Sequence, residues 1–216
     1  MRIPSLKPLS GGEGLFEKIG CEMKEKMIPT RDECLRLMSQ YGMLSHIIDH
    51  SIEVTKVALY LAVELNKRGQ RIDLGLVEAA SLLHDLTKSG CLKTKEDHAL
   101  TGSQLLKGMG YIRVGEIVAE HIQLSGKNDP SLVTEEEVVN YADKRVQHDR
   151  IVSLEERFSD LMDRYGKGQK ASEQTEQLKK TTFEIEHKIF SILGIDPREL
   201  RLQLDEDPLI GVEMNE

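Results

Sequence analysis

The chain has 216 residues, with 29 Lys and Arg against 37 Asp and Glu, giving a net charge of −8 with His neutral. That length is enough for one domain with an extension and a sizeable core, and the acidity, with 4% aromatics and no Trp, argues against a broad nucleic-acid surface. No apolar run reaches the roughly 18–20 residues of a membrane helix, the N-terminus lacks an apolar secretion signal, and Cys21, Cys34 and Cys91 form no CxxC, so free thiols in a reducing cytoplasm are expected.

Residues 1–29 read as a flexible or partly helical lead-in containing Pro4, Pro8, Gly11, Gly12 and Gly14. Gly11-Gly12-Glu13-Gly14 has no strand before it and no Gly-Lys-Ser/Thr after it, so a phosphate loop is not expected there. Thr30 and Glu33 form a capping-box pattern opening a helix over Arg31–Gln40, which Gly42 breaks. The next helix runs from Ser45 to about Lys67, because Ile47, Val54, Val57, Ala58, Leu61 and Leu65 recur at helical spacing. Asp73 caps a third, with Leu76, Val77, Ala80, Leu83 and Leu86 on its apolar face and Gly90 as its stop. Thr94 with Asp97 caps a fourth, reaching about Met109, and a fifth covers Ile112 to Ile122.

A loop over Ser125–Ser131 follows, and Thr134 with Glu137 then opens a long helix from Glu135 to about Arg164. Gly166 and Gly168 separate a last long segment over 171–193, striped by Leu178, Ile185, Ile189 and Ile192. Asp196-Pro197 caps a short terminal helix over 197–204. No strand and no internal repeat is expected. The fold class is all-α: a helical bundle over residues 30–165 with a C-terminal helical extension over 166–216 packing on or beside it.

Chemistry concentrates in His50, His84-Asp85, His98, His121 and Asp143, each on or at the edge of an expected helix. Imidazole nitrogens and carboxylate oxygens are natural ligands for divalent iron, manganese or zinc, and helices that point such groups inward are a recurring way to build a bundle-core metal site. His-Asp occurs twice. The pair at 84–85 follows the apolar run Ala79-Ala80-Ser81-Leu82-Leu83, whereas His148-Asp149 sits among polar residues and reads as a solvated face. A buried carboxylate is costly without a cation, which favours the first pair.

These residues carry a resemblance. His50-Ser51-Ile52-Glu53-Val54 is similar to the first-histidine motif of the HD-domain superfamily of metal-dependent phosphohydrolases. Leu82-Leu83-His84-Asp85-Leu86-Thr87-Lys88 resembles its defining His-Asp motif, and Tyr141-Ala142-Asp143-Lys144 its closing Asp motif. The likeness spans roughly residues 42–165. His98-Ala99-Leu100-Thr101-Gly102 and Glu120-His121 resemble the two extra histidines of the dinuclear subgroup, which includes cyclic-dinucleotide phosphodiesterases and hydrolases of diadenosine tetraphosphate. The chain has Leu86-Thr87 where many relatives have Ile-Gly, and no Gly-Tyr-Pro signature, which argues against cyclic di-GMP cleavage.

The resemblance implies an HD-domain helical bundle and an enzyme with two divalent transition-metal ions, iron or manganese before zinc, cobalt or nickel. His50, His84, Asp85 and Asp143 would hold one ion, and Asp85 would bridge to a second held by His98 and His121. His46, one turn before His50, competes with it as the first ligand. The implied reaction is hydrolysis of a phosphate ester or anhydride of a small, nucleotide-like substrate by a metal-activated hydroxide. Asp85 would orient the nucleophile and Lys88 would contact phosphate. Lys144 and Arg145 are weaker substrate-binding candidates, and His148 and His187 are expected to face solvent. The same ligands also suit a di-iron oxygenase of this fold or a non-catalytic nucleotide-binding regulatory domain. Partners are expected to be small phosphorylated molecules rather than nucleic acid or membrane, with room for a homo-oligomer.

Overall fold

The computed structural model describes residues 28–126 and 129–206, so the glycines of the lead-in and Cys21 lie outside the described residues. Among these residues the protein is all-α apart from one short hairpin. Helix α1 (Arg31–Gln40) opens on the Thr30–Glu33 capping box, and the chain turns at Gly42, whose φ of 64° favours glycine. Helix α2 (Ser45–Lys67) is the central element. Val54, Val57, Ala58, Leu61 and Leu65 are fully buried, and α2 packs against the helices Leu74–Leu83, Glu135–Arg145 and Gln169–Leu193.

Helix α3 (Leu74–Leu83) starts where Asp73 accepts from the Leu76 amide. It is apolar on nearly all sides, as a helix enclosed by others must be, and it packs against α1, α2 and the helix Ile112–Glu120. Its expected continuation to Gly90 does not occur. The helix ends at Leu83, residues 84–87 form a turn closed by Leu86 N to Leu83 O and Lys88 N to Asp85 O, and Gly90 lies inside α4 (Lys88–Thr94). Buried Leu86 prolongs the apolar spacing through the turn and conceals the break.

Helix α5 (His98–Gly108) is capped by Asp97, which accepts from the Ala99 and Leu100 amides, while Thr94 closes α4 instead of opening α5. Helix α6 (Ile112–Glu120) crosses α5 so closely that a Cβ on Gly115 would lie 2.8 Å from the Ser103 carbonyl oxygen. Helix α7 (Glu135–Arg145) opens on the Thr134–Glu137 capping box.

The single long helix expected from Glu135 to Arg164 is two helices. After Arg145 the chain forms an antiparallel hairpin, β1 (Val146–Gln147) and β2 (Arg150–Ile151), pairing Val146 with Ile151 and Gln147 with Arg150. The absence of strands expected from sequence is corrected to that extent. His148 turns the hairpin at a φ of 59°. Helix α8 (Leu154–Tyr165) then restarts on a Ser153–Glu156 capping box.

Helix α9 (Gln169–Leu193) buries Ile185, Ile189, Phe190 and Leu193, with Leu178 and Ile192 partly buried, and packs on α8, α7 and α2. Lys188 holds both oxygens of buried Glu137 at 2.9 and 2.8 Å, and Tyr141 donates to Glu186 at 2.6 Å, which pins α9 to α7. A 3₁₀ turn (Pro197–Glu199) and α10 (Leu200–Glu206) follow. No described helix is long and apolar enough to cross a membrane.

Candidate metal centre

The break at Leu83 places two adjacent ligand-type residues on one side. His84 and Asp85 leave the helix in a tight turn, so both reach a centre also approached by His50 of α2, His98 at the start of α5, His121 after α6 and Asp143 of α7. Two triads result, His50–His84–Asp85 and Asp85–His98–His121, each with its ligand atoms within 4.8 Å of one another. Asp85 belongs to both. Its Oδ1 lies 3.1 Å from His98 Nε2 and 3.7 Å from His121 Nε2, while its Oδ2 lies 3.4 Å from His84 Nε2. Asp143 Oδ1 closes the other side at 3.1 Å from His50 Nε2 and 3.7 Å from His84 Nε2.

Three of the four imidazoles are oriented by main-chain carbonyls. His50 Nδ1 donates to His148 O at 2.8 Å, His84 Nδ1 to Ser81 O at 2.7 Å and His121 Nδ1 to Val118 O at 2.7 Å. A proton committed outward on Nδ1 leaves the Nε2 lone pair aimed at the centre, the tautomer a metal ligand requires. The fourth ring, His98, is anchored through its backbone, whose carbonyl accepts from Thr87 Oγ1 at 2.9 Å.

The charges are extreme for so small a volume. Burial alone would raise the Asp85 and Asp143 carboxyls. His84 and Lys88 beside Asp85, and Lys144, His50 and His84 beside Asp143, hold both well below the usual range. Burial opposes a proton on His84, yet the two carboxylates outweigh it and raise its pKa. His121, equally buried and next to His84, is pushed down to about 3. His84 Nε2 and Asp85 Oδ1 make no hydrogen bond among the described residues, although both are buried. Such orphaned atoms cost about 1–3 kcal/mol or more each. The donor set therefore fits divalent cations, which would satisfy both atoms.

The remaining sequence candidates separate. His46 is exposed, away from the buried His50. Lys88 Nζ lies 2.6 Å from Asp85 Oδ2 with its side chain 39% exposed, and with His98 it marks the open edge of the centre. Lys144 is buried on Asp143 and on the His121 carbonyl. Arg145 is not brought to the centre: its guanidinium holds Tyr141 Oη, Glu186 and the Val152 and Pro197 carbonyls. His148 and His187 are exposed. Sequence reasoning missed the His148 carbonyl that orients His50, and Asn140, whose Nδ2 donates to the Glu120 and His121 carbonyls at 2.9 and 3.0 Å. Asn140 had one available signal, its place one helical turn before Lys144.

The chain is 33% identical over 156 residues to a tRNA (cytidine(56)-2'-O)-methyltransferase of Picrophilus torridus, covering 65% of this chain and 42% of that protein. It is 28% identical over 157 residues to the protein of the same name from Thermoplasma volcanium, covering 67% and 43%. A Ribonuclease Y of Fusobacterium nucleatum is 29% identical over 114 residues, covering 52% of this chain and 21% of that protein. The chain thus spans well under half the length of these relatives. No solved structure matches it. The HD domain matches residues 47–167, a span that contains every residue of both triads and Asp143, and the chain belongs to that family.

Proposed function

We propose that this chain is a two-metal phosphohydrolase that cleaves a phosphate ester or anhydride of a nucleotide-like substrate. The observation that carries the reading is the sharing of Asp85 by two ligand triads, one buried throughout and one open at His98, with one carboxylate oxygen turned to each. His50, His84, Asp85 and Asp143 would hold one divalent cation, and Asp85, His98 and His121 the other. Iron or manganese suits this nitrogen and oxygen set best, with zinc, cobalt and nickel compatible. When bound, such ions supply Lewis acidity and a water that is reactive near neutral pH.

The chain's own residues supply orientation and charge. The carbonyl-anchored rings of His50, His84 and His121 keep their Nε2 atoms inward without reorganisation. Burial works against the charge on Lys88, but Asp85 and Asp143 hold its pKa up, so it stays protonated. Its side chain is 39% exposed and its ammonium stands beside Asp85, placed to neutralise charge growing on a transferred phosphoryl group. Focusing by such a pocket brings in a phosphorylated small molecule despite the net charge of −8.

RNA is the second substrate class, because the similar Ribonuclease Y and tRNA methyltransferases are named for RNA. The chain's acidity weighs against it as the first choice. One experiment tests both: metal-loaded protein is assayed without oxygen against a nucleotide panel and short single-stranded RNA, with manganese, iron or cobalt added. Phosphate release from nucleotides is expected. RNA cleavage alone moves the reading to the second class, and no hydrolysis at full metal loading overturns it in favour of an oxygenase or a binding domain.

A further inference from the structure

Lys144 occupies a position where a lysine is seldom found. Its side chain is 4% exposed, and its ammonium lies 2.8 Å from Asp143 Oδ2 and 2.8 Å from the His121 carbonyl oxygen. These acceptors belong to different halves of the centre. Asp143 stands with His50 and His84, whereas His121 stands with Asp85 and His98. The His121 carbonyl also accepts from Asn140, so two side chains one turn apart on α7 grip the end of α6. We infer that Lys144 is a positioning residue that fixes Asp143 and His121 relative to one another and so couples the two halves of the metal centre.

Other roles suit the geometry less well. A substrate-binding cation has to meet the substrate, and it is the Lys88 side chain that is 39% exposed at the open edge, against 4% for Lys144. As a mere counter-charge, Lys144 would be a poor choice beside a cation site. Burying an ammonium is costly, and its charge repels an incoming divalent ion. What it contributes is direction. With Oδ2 anchored, the Asp143 carboxylate cannot rotate freely, and its Oδ1 stays turned to His50 and His84. Because the same ammonium holds the main chain at His121, a shift in one half is transmitted to the other.

The inference rests on the two-metal reading, and the test keeps the two apart. Chelator-stripped wild type and Lys144→Met are titrated with Mn²⁺ by calorimetry and with Co²⁺ by visible absorption, with circular dichroism and thermal melting as controls for folding. Charge alone and positioning predict opposite signs. Removing a repelling cation would tighten metal binding, whereas releasing Asp143 and His121 would weaken it. We expect a folded variant whose binding is at least ten-fold weaker, the usual range for a residue that orients ligands, with an altered cobalt spectrum and with two ions that no longer titrate cooperatively. Equal or tighter binding with an unchanged spectrum overturns the inference. If Lys144→Met does not fold, Lys144→Gln is read in the same way; failure of both to fold also overturns it, since the lysine would then serve the core. Wild type that binds fewer than two ions overturns the two-metal reading itself.

Discussion

His98 and His121 bring their Nε2 atoms to 3.3 Å of one another, and both face Asp85 Oδ1, at 3.1 and 3.7 Å. The ring proton of His121 is committed to the Val118 carbonyl, so its Nε2 offers a lone pair. Either His98 donates a proton into this space, or a cation fills it. A divalent ion satisfies all three atoms at once, which a single proton cannot. Protein purified without chelator is therefore expected to carry two transition-metal ions per chain by elemental analysis. His98→Ala or His121→Ala should remove one and largely spare the other. A single ion in the wild type, unaffected by either substitution, would reduce the centre to a mononuclear site.

The first histidine of the chain's motif set has a near neighbour one turn away, and burial separates the two. His50 is 7% exposed with both ring nitrogens engaged, to the His148 carbonyl and to Asp143, while His46 is exposed. His50→Ala should lose the ion on the Asp143 side, and His46→Ala should keep its metal content and melting temperature. The reverse result would move the ligand by one helical turn.

Acid should weaken the metal-free fold through His121. Its folded pKa is pushed down to about 3 by burial beside His84, against about 6.5 when unfolded. Between those values the unfolded chain binds more protons, so this contribution is complete above pH 6.5 and is lost as pH falls towards 3. His84 is shifted the other way and contributes in the opposite sense, but it does so in wild type and variant alike. Between pH 6.5 and 5, wild type should lose about 1–2 kcal/mol more stability than His121→Gln in urea titrations of chelated protein. Parallel pH profiles would show that His121 is not held neutral by burial.

Most helices could be read from the sequence because their ends are local. The Thr30–Glu33 and Thr134–Glu137 capping boxes and the Asp73 cap act within three residues, and the structure contains all three. The errors have non-local causes. Leu86 continues the apolar spacing of α3, but the chain leaves the helix at Leu83 to turn His84 and Asp85 towards partners on α2, α5 and α7. Lys144 and Arg145 read as weak substrate-binding candidates because their partners, the His121 carbonyl and Glu186, lie 23 and 41 positions away. The hairpin after Arg145 did leave a local signal. Ser153 with Glu156 is a capping box that marks a new helix start, and the assumption of one continuous helix passed over it. The ligand-type residues themselves were legible as a set, while the main-chain carbonyls that orient them carry no side-chain signature.

Lys88 gives the sharpest separation between a chemical and a structural role. It opens the short α4, where its own positive charge is disfavoured by the helix dipole, so helix stability does not explain a lysine there. Its ammonium instead lies 2.6 Å from the shared carboxylate, at the open edge of the centre. Lys88→Ala should leave metal content intact and lower turnover at least ten-fold, equivalent to about 1.4 kcal/mol or more of transition-state stabilisation. Lys88→Met keeps much of the apolar stem without the charge and should behave alike, which separates electrostatics from packing. A role confined to orienting Asp85 would appear instead as weaker metal binding in both variants. A wild-type rate in folded, fully metal-loaded Lys88→Ala would remove the lysine from the chemistry and leave phosphoryl charge to be met by the metal ions alone.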